Sequence, residues 1–102
     1  MEPASFTLAF DETSGVLTVT GELDEVSSAV LREVVQKHSG DYAESIVVDL
    51  SAVEYLPSVA IGVLAKARQT AEARGRSVDL VAADGTIAQR VLQICALPHR
   101  TA

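Results

Sequence analysis

The sequence predicts a single small α/β domain, in which a mixed β-sheet carries three helices in the order β-β-α-β-α-β-α. Short runs rich in β-branched residues alternate with segments of helical periodicity after an opening hairpin, which is typical of a mixed sheet packed against helices. The chain has 102 residues, of which 48% are hydrophobic. That length suffices for one core and is too short for two, so we expect one domain over residues 1–102.

The N-terminal part predicts a β-hairpin. Residues 5–10 and 15–20 have strand character, and the second run, from Val16 to Thr20, is rich in β-branched residues. Residues 11–15, with the sequence DETSG, are turn formers and predict the connecting loop.

A first helix is predicted to follow the hairpin. Asp24, or Ser27 one turn later, can cap its N-terminus, and Gly40 favours a stop just after His38. Its apolar residues recur at helical spacing and are Val26, Val30, Leu31, Val34 and Val35.

Two further strands and two further helices are predicted. Residues 46–50 form a nearly continuous apolar run, typical of a central strand, and a loop then leads to Pro57. A second helix is expected from Ser58 to about Arg74, where Gly75 ends it.

The last strand is expected at residues 78–82, and a last helix opens at Asp84-Gly85 and ends before Pro98. Ile87, Val91 and Ile94 are predicted to face the core.

The charge balance limits the partners. The chain carries 14 acidic and 8 basic side chains, a net charge of −6, whereas nucleic acids and anionic membranes attract basic surfaces. Four carboxylates near strand ends, Glu22, Asp24, Asp49 and Glu54, have no His or Cys at ligand spacing. We therefore expect neither nucleic acid nor membrane as partner, and no metal or cofactor.

Cysteine usage and the N-terminus predict a cytoplasmic protein. Cys95 is the only cysteine, lies in an apolar run and is expected to be a buried small hydrophobe in a reducing compartment. Residues 1–5 have neither the basic nor the apolar region of a signal peptide, and the longest uncharged apolar stretch, 59–65, is too short for a membrane span.

The start of the second helix is the most informative segment. Residues 59–65, with the sequence VAIGVLA, lack the polar side that a surface helix shows. Either this end is buried all round, or one side is exposed and awaits a partner. Ser58, at the mouth of the helix, can be an N-cap or a phosphorylation site, because a helix N-terminus favours an anion.

Two motifs resemble the STAS domains of bacterial anti-sigma factor antagonists. The stretch from Val47 to Leu64, VVDLSAVEYLPSVAIGVL, is similar to the signature in which a strand ends in Asp-Leu and the run aromatic-hydrophobic-Asp-Ser-Ser-Gly-Leu-Gly opens a helix. Residues 19–24, VTGELD, resemble the Gly-Glu-Leu-Asp step into the first helix. The resemblance implies the STAS fold over nearly the whole chain.

The resemblance also implies a regulatory mechanism. In that family the unphosphorylated domain binds an anti-sigma factor that is a serine kinase and frees the sigma factor. The kinase then phosphorylates the first serine of the motif, and a phosphatase resets it. Ser58 occupies that position, and the expected partner contacts are Asp24, Pro57, Ser58, Val59, Ala60, Ile61 and Gly62.

The motif also departs from the family pattern. Pro57 stands for the aspartate, Val59 for the second serine and Ala60 for the glycine, which indicates a site whose kinase recognition is altered or lost. Two binding functions therefore stay open, a partner-switching antagonist that regulates transcription and a permanent STAS subunit of a larger complex. An enzyme is the third hypothesis, and it lacks a catalytic constellation; we expect a binding protein.

Overall fold

A computed structural model describes residues 6–101 and confirms the predicted element order. The strands are β1 (Phe6–Asp11), β2 (Val16–Glu22), β3 (Ile46–Tyr55) and β4 (Val78–Val81), and the helices are α1 (Glu25–His38), α2 (Ser58–Ala73) and α3 (Ile87–Ile94). Ser5, the expected start of the first strand, and residues 1–5, where no signal peptide is expected, lie outside the described residues.

The four strands form a mixed sheet in the order β1-β2-β3-β4. β1 and β2 are antiparallel, while β2 with β3 and β3 with β4 are parallel. The hairpin closes as predicted: the Gly15 N–H donates to the Asp11 carbonyl at 2.8 Å, and the Thr13 N–H donates to Asp11 Oδ1 at 2.9 Å. Gly15 has a positive φ of 72°, which glycine adopts without strain.

β3 extends five residues further than predicted. Residues 51–55, expected to be loop, continue the strand and pair with β2 alone, through Ala52, Val53 and Tyr55. Register shifts interrupt this part of the pairing. β4 pairs only with residues 46–49, so the extension has a neighbour on one side only.

The glycines after α1 and α2 end those helices as predicted. Gly40 has a φ of 61°, and its N–H donates to the Lys37 carbonyl at 3.1 Å, while the Asp41 N–H donates to the Gln36 carbonyl at 2.8 Å. This pair of bonds is a Schellman motif. Gly75, with a φ of 70°, ends α2 in the same way.

One hydrophobic cluster joins the buried side of the sheet to the three helices. In the sheet, buried residues alternate with half-buried ones, as in Leu17 and Val19 of β2, because successive side chains point to opposite faces of a strand. From the helices the cluster takes Leu31 and Val35 of α1, Ala60, Leu64, Ala67 and Ala71 of α2, and Ala88 and Leu92 of α3.

The first turn of α1 has the reverse of the expected burial. Ser27 and Ser28 are buried, whereas the Val26 side chain is 73% exposed. Leaving a valine in water forgoes about 1.5–3 kcal/mol of burial free energy. Within residues 6–101 the buried Ser28 Oγ has no hydrogen-bond partner. The helical spacing predicted the helix correctly, but Val26 does not belong to its buried face.

α3 is rotated relative to the prediction. Ala88 and Leu92 face the core, Val91 is half-buried, and Ile87 and Ile94 are exposed, Ile94 by 77%. Cys95 is exposed as well, so its predicted burial is wrong. The described helices include none with the length and hydropathy needed to cross a bilayer.

Candidate functional site

The starts of α1 and α2 lie at the same edge of the sheet. β2 and β3 are parallel, and Glu22 at the end of β2 pairs with Tyr55 at the end of β3. One residue further, the Leu23 N–H donates to the Tyr55 carbonyl at 3.1 Å. Each strand then turns into its helix, and α1 packs against α2. Two helix N-termini are thereby placed side by side.

The α1 start is closed by its own side chains. Asp24 is the N-cap, as predicted, and its Oδ1 accepts hydrogen bonds from the Ser27 N–H at 2.8 Å and from Ser27 Oγ at 2.9 Å. The Asp24 N–H donates in return to Ser27 Oγ at 2.7 Å. The bonds from the Ser27 backbone and hydroxyl hold the pKa of the exposed Asp24 carboxyl below its usual value of 3.8.

The α2 start is open. Pro57, not Ser58, is the N-cap, and no side chain caps the helix, so the cap interpretation of Ser58 is wrong. The Pro57 carbonyl accepts from the N–H groups of Ala60 at 3.0 Å and Ile61 at 3.1 Å. Within residues 6–101 the N–H groups of Ser58 and Val59 donate to no other group. They are left for water or an anion.

One side of the α2 start is exposed, so this end of the helix is not buried all round. Ser58 and Gly62 are exposed, Val59 is 41% exposed, and Tyr55, just before the turn, is 55% exposed. We call Asp24, Tyr55, Ser58, Val59 and Gly62 together the end face. It combines apolar side chains with unbonded amides, a composition that suits a protein partner.

The other predicted contact residues lie deeper. Pro57 and Ile61 are half-buried and border the end face. Ala60 is fully buried and belongs to the core cluster, so its prediction as a contact residue is corrected. Its methyl group fills core space beneath the open helix start.

The surroundings of the end face are acidic. Glu22, Glu25 and Glu54 are exposed and lie at the ends of β2 and β3 or in the first turn of α1. Together with Asp24 they favour a partner with basic side chains. In the part of the chain that the structure describes, no three His, Cys, Asp or Glu side chains come together as a metal site.

The conserved-domain match agrees with this architecture. The family model described as "Mlab, STAS domain" matches residues 6–97. The chain belongs to the STAS domain family. Its four-stranded mixed sheet with three helices is the STAS fold, as the two sequence motifs predicted.

Similar proteins are named as anti-sigma factor antagonists. This STAS domain is 36% identical over 98 residues to the anti-sigma-F factor antagonist RsfB of Mycobacterium tuberculosis, covering 93% of this chain and 78% of RsfB. The crystal structure of an anti-sigma factor antagonist from Mycobacterium paratuberculosis superposes with a TM-score of 0.80 at 27% identity, over 99% of this chain and 90% of that one.

A more distant structure supports the fold alone. The anti-sigma factor antagonist SpoIIAA in its unphosphorylated form superposes on the STAS domain with a TM-score of 0.67 at 20% identity, over 90% of this chain and 81% of SpoIIAA.

Sequence reasoning missed one member of the end face, Tyr55, and also the exposure of Val26 in the first turn of α1. Tyr55 was part of the motif but was not proposed as a contact, and Val26 was assigned to the apolar face of α1. The sequence carries a signal for Tyr55, because this residue occupies the aromatic position of the family motif, three residues before Ser58. Val26 carried no such signal, since its spacing also fits a buried helix face.

Proposed function

We propose that this STAS domain is an anti-sigma factor antagonist that binds an anti-sigma factor through its end face and so regulates transcription. The open start of α2 carries the proposal, because Ser58 is exposed there without capping the helix. The names of its relatives, RsfB and the Mycobacterium paratuberculosis antagonist, support the same function. In this proposal residues 1–102 act as one cytoplasmic domain that needs no cofactor.

Binding would rest on apolar contact and charge. Tyr55 and Val59 offer the exposed apolar surface of the end face, and aromatic anchors often dominate the energy of an interface. Asp24 and its acidic neighbours would pair with basic side chains at the rim of the partner's surface. Pro57 and Ile61 would support the contact from below.

Phosphorylation of Ser58 would switch this binding off. A kinase partner, which we propose to be the anti-sigma factor itself, would transfer the γ-phosphoryl group of ATP to Ser58 Oγ and release ADP, with the hydroxyl proton passing to a base of the kinase. The phosphate adds about −1.5 to −2 charges next to an already acidic surface. The unbonded N–H groups of Ser58 and Val59 would hold it. A phosphatase would reverse the step by hydrolysis.

Calorimetry with the purified anti-sigma factors of the source organism tests the proposal. We expect one of them to bind the wild-type chain and the Ser58→Ala variant, and to lose at least about tenfold in affinity for Ser58→Asp. Ser77→Asp is the matched control, because Ser77 is an exposed serine just before β4, at the opposite edge of the sheet. If none of the anti-sigma factors binds the wild-type chain, the proposal fails.

Intact-mass analysis tests the modification itself. After incubation with ATP and the bound anti-sigma factor, we expect the wild-type chain to gain the mass of one phosphate and Ser58→Ala to gain none. An equal mass gain in the wild-type chain and in Ser58→Ala would mean that a residue other than Ser58 is phosphorylated.

A permanent STAS subunit is the second candidate function. Pro57, Val59 and Ala60 replace the acid, hydroxyl and glycine of the family motif, and Ala60 is fully buried. These changes leave an apolar contact surface and remove groups that a kinase could recognise. Partner binding that is unaffected by Ser58→Asp, together with no phosphate gain, would favour this candidate over the switch.

A further inference from the structure

The reversed first turn of α1 creates an apolar strip on the outside of the helix. Val26 and Ala29 are exposed, and Val30 is half-buried beside them, whereas Ser27 and Ser28 occupy the core side. An arrangement that exposes a valine and buries a serine without a described partner opposes folding stability. Such departures from local consistency are expected where a surface serves binding.

The strip lies in a shallow groove with acidic ends. The groove is wide open to solvent and is lined by five residues of α1, Glu25, Val26, Ala29, Val30 and Glu33; we call it the α1 groove. Its floor is apolar, and both carboxylates are exposed. It therefore complements an apolar side chain that has Lys or Arg residues on both sides.

Neither carboxylate of the groove is paired within the chain. In the part of the chain that the structure describes, the ion pairs are Arg68–Glu72 and Arg100–Asp79, so Glu25 and Glu33 belong to none. The carboxylates of the groove are left for a partner.

The α1 groove is continuous with the end face. Glu25 and Val26 directly follow Asp24, and the Leu23 N–H just before it is bonded to the Tyr55 carbonyl. A protein seated on Tyr55 and Val59 would meet the N-terminal turn of α1 next. The groove extends the same surface by two turns along the helix, to Glu33.

We propose that the α1 groove is a second contact area for the anti-sigma factor that occupies the end face, and that it accepts an apolar side chain flanked by basic residues. This inference rests on the proposed function. It adds a contact that lies away from Ser58 and that selects partners by charge, so that an anti-sigma factor without the basic flank is rejected.

The test uses the purified anti-sigma factor that binds the wild-type chain in calorimetry. We expect the double variant Val26→Ser, Glu33→Lys to lose at least about tenfold in affinity, and its remaining affinity to depend less on salt than that of the wild type. Glu12→Lys is the matched control, because it makes the same charge change in the hairpin turn, and its affinity should change less than about twofold.

The outcomes separate the two proposals. If the groove variant binds like the wild type while Ser58→Asp binds weakly, the groove inference is wrong and the proposed function stands. If Glu12→Lys weakens binding as much as the groove variant, net charge explains the effect and the inference is overturned. If no anti-sigma factor binds the wild type, both proposals fail. Urea denaturation tests whether each variant is folded. If the double variant is unfolded, the single variant Val26→Ser, which leaves the charge unchanged, takes its place in the binding measurement.

Discussion

The helices α1 and α2 both begin at the C-terminal edge of the sheet, but they start in different ways. α1 begins with a complete capping box, in which Asp24 and Ser27 bond each other's backbone, whereas α2 begins at Pro57 with no side-chain cap. The strands that lead into them are hydrogen-bonded neighbours. The same edge of the sheet thus holds one start that stabilises the fold and one whose amides and serine remain available for a ligand.

Ser27→Ala gives the largest expected loss of stability among changes at the two starts. It removes the hydroxyl that accepts from the Asp24 N–H and donates to Asp24 Oδ1, in a side chain that is buried. We expect the free energy of unfolding to fall by about 1 kcal/mol, measured by urea denaturation. An unchanged value would mean that the capping box adds nothing to stability.

Gly62→Ala is expected to separate stability from binding at the open start. A Cβ atom built on Gly62 meets no atom within 4 Å, and alanine favours a helix interior over glycine by roughly 0.5–1 kcal/mol. The free energy of unfolding should rise by about that amount. Calorimetry should show weaker binding of the anti-sigma factor if the partner's backbone approaches Gly62 closely. A loss of stability would contradict the open space around Gly62.

Low pH should remove the contribution of the Asp24 carboxylate to the stability of the α1 start. The pKa of Asp24 is lowered by its bonds to Ser27, so its stabilising contribution is complete above the unfolded-state pKa and is lost as the pH falls through the lower folded-state pKa. We expect Asp24→Asn to be less stable than the wild type at pH 7, and the difference to shrink below pH 3.8. Urea denaturation over a pH series measures it; a difference that stays constant at all pH values excludes the charge as the cause.

Ser58→Ala gives the smallest expected effect. The hydroxyl caps nothing and is exposed, so the free energy of unfolding should change by less than about 0.5 kcal/mol. Thermal and urea denaturation check it. A clear destabilisation would show that Ser58 supports the fold and would weaken its assignment as a modification site.

The sequence predicted the fold well because its strongest signals are local. Asp24, Gly40 and Gly75 mark helix ends through backbone chemistry that acts within a few residues. The hairpin turn at residues 11–15 is of the same kind. These features need no knowledge of the neighbouring elements, and the structure confirms each of them.

The errors concern features that depend on tertiary packing. In α3, Ile87 and Ile94 fit a buried face as well as Ala88 and Leu92 do, but in the structure Ala88 and Leu92 are the buried pair. Residues 51–55 look like a loop because only β2 pairs with them. The sequence allows Ser58 to be the N-cap of α2, but in the structure Pro57 occupies the N-cap position.

Hydrogen exchange of the Leu23 amide, which donates to the Tyr55 carbonyl, can report how a partner contacts the two helix starts. The Leu23 side chain is 1% exposed, and its amide proton can exchange with solvent only when the join between the two helix starts opens. A partner that contacts the starts of both α1 and α2 would suppress this opening and slow the exchange of the Leu23 amide proton. A partner that contacts only one of the two starts would leave the exchange rate unchanged. Exchange at one backbone position therefore distinguishes the two modes of engagement without any change to the chain.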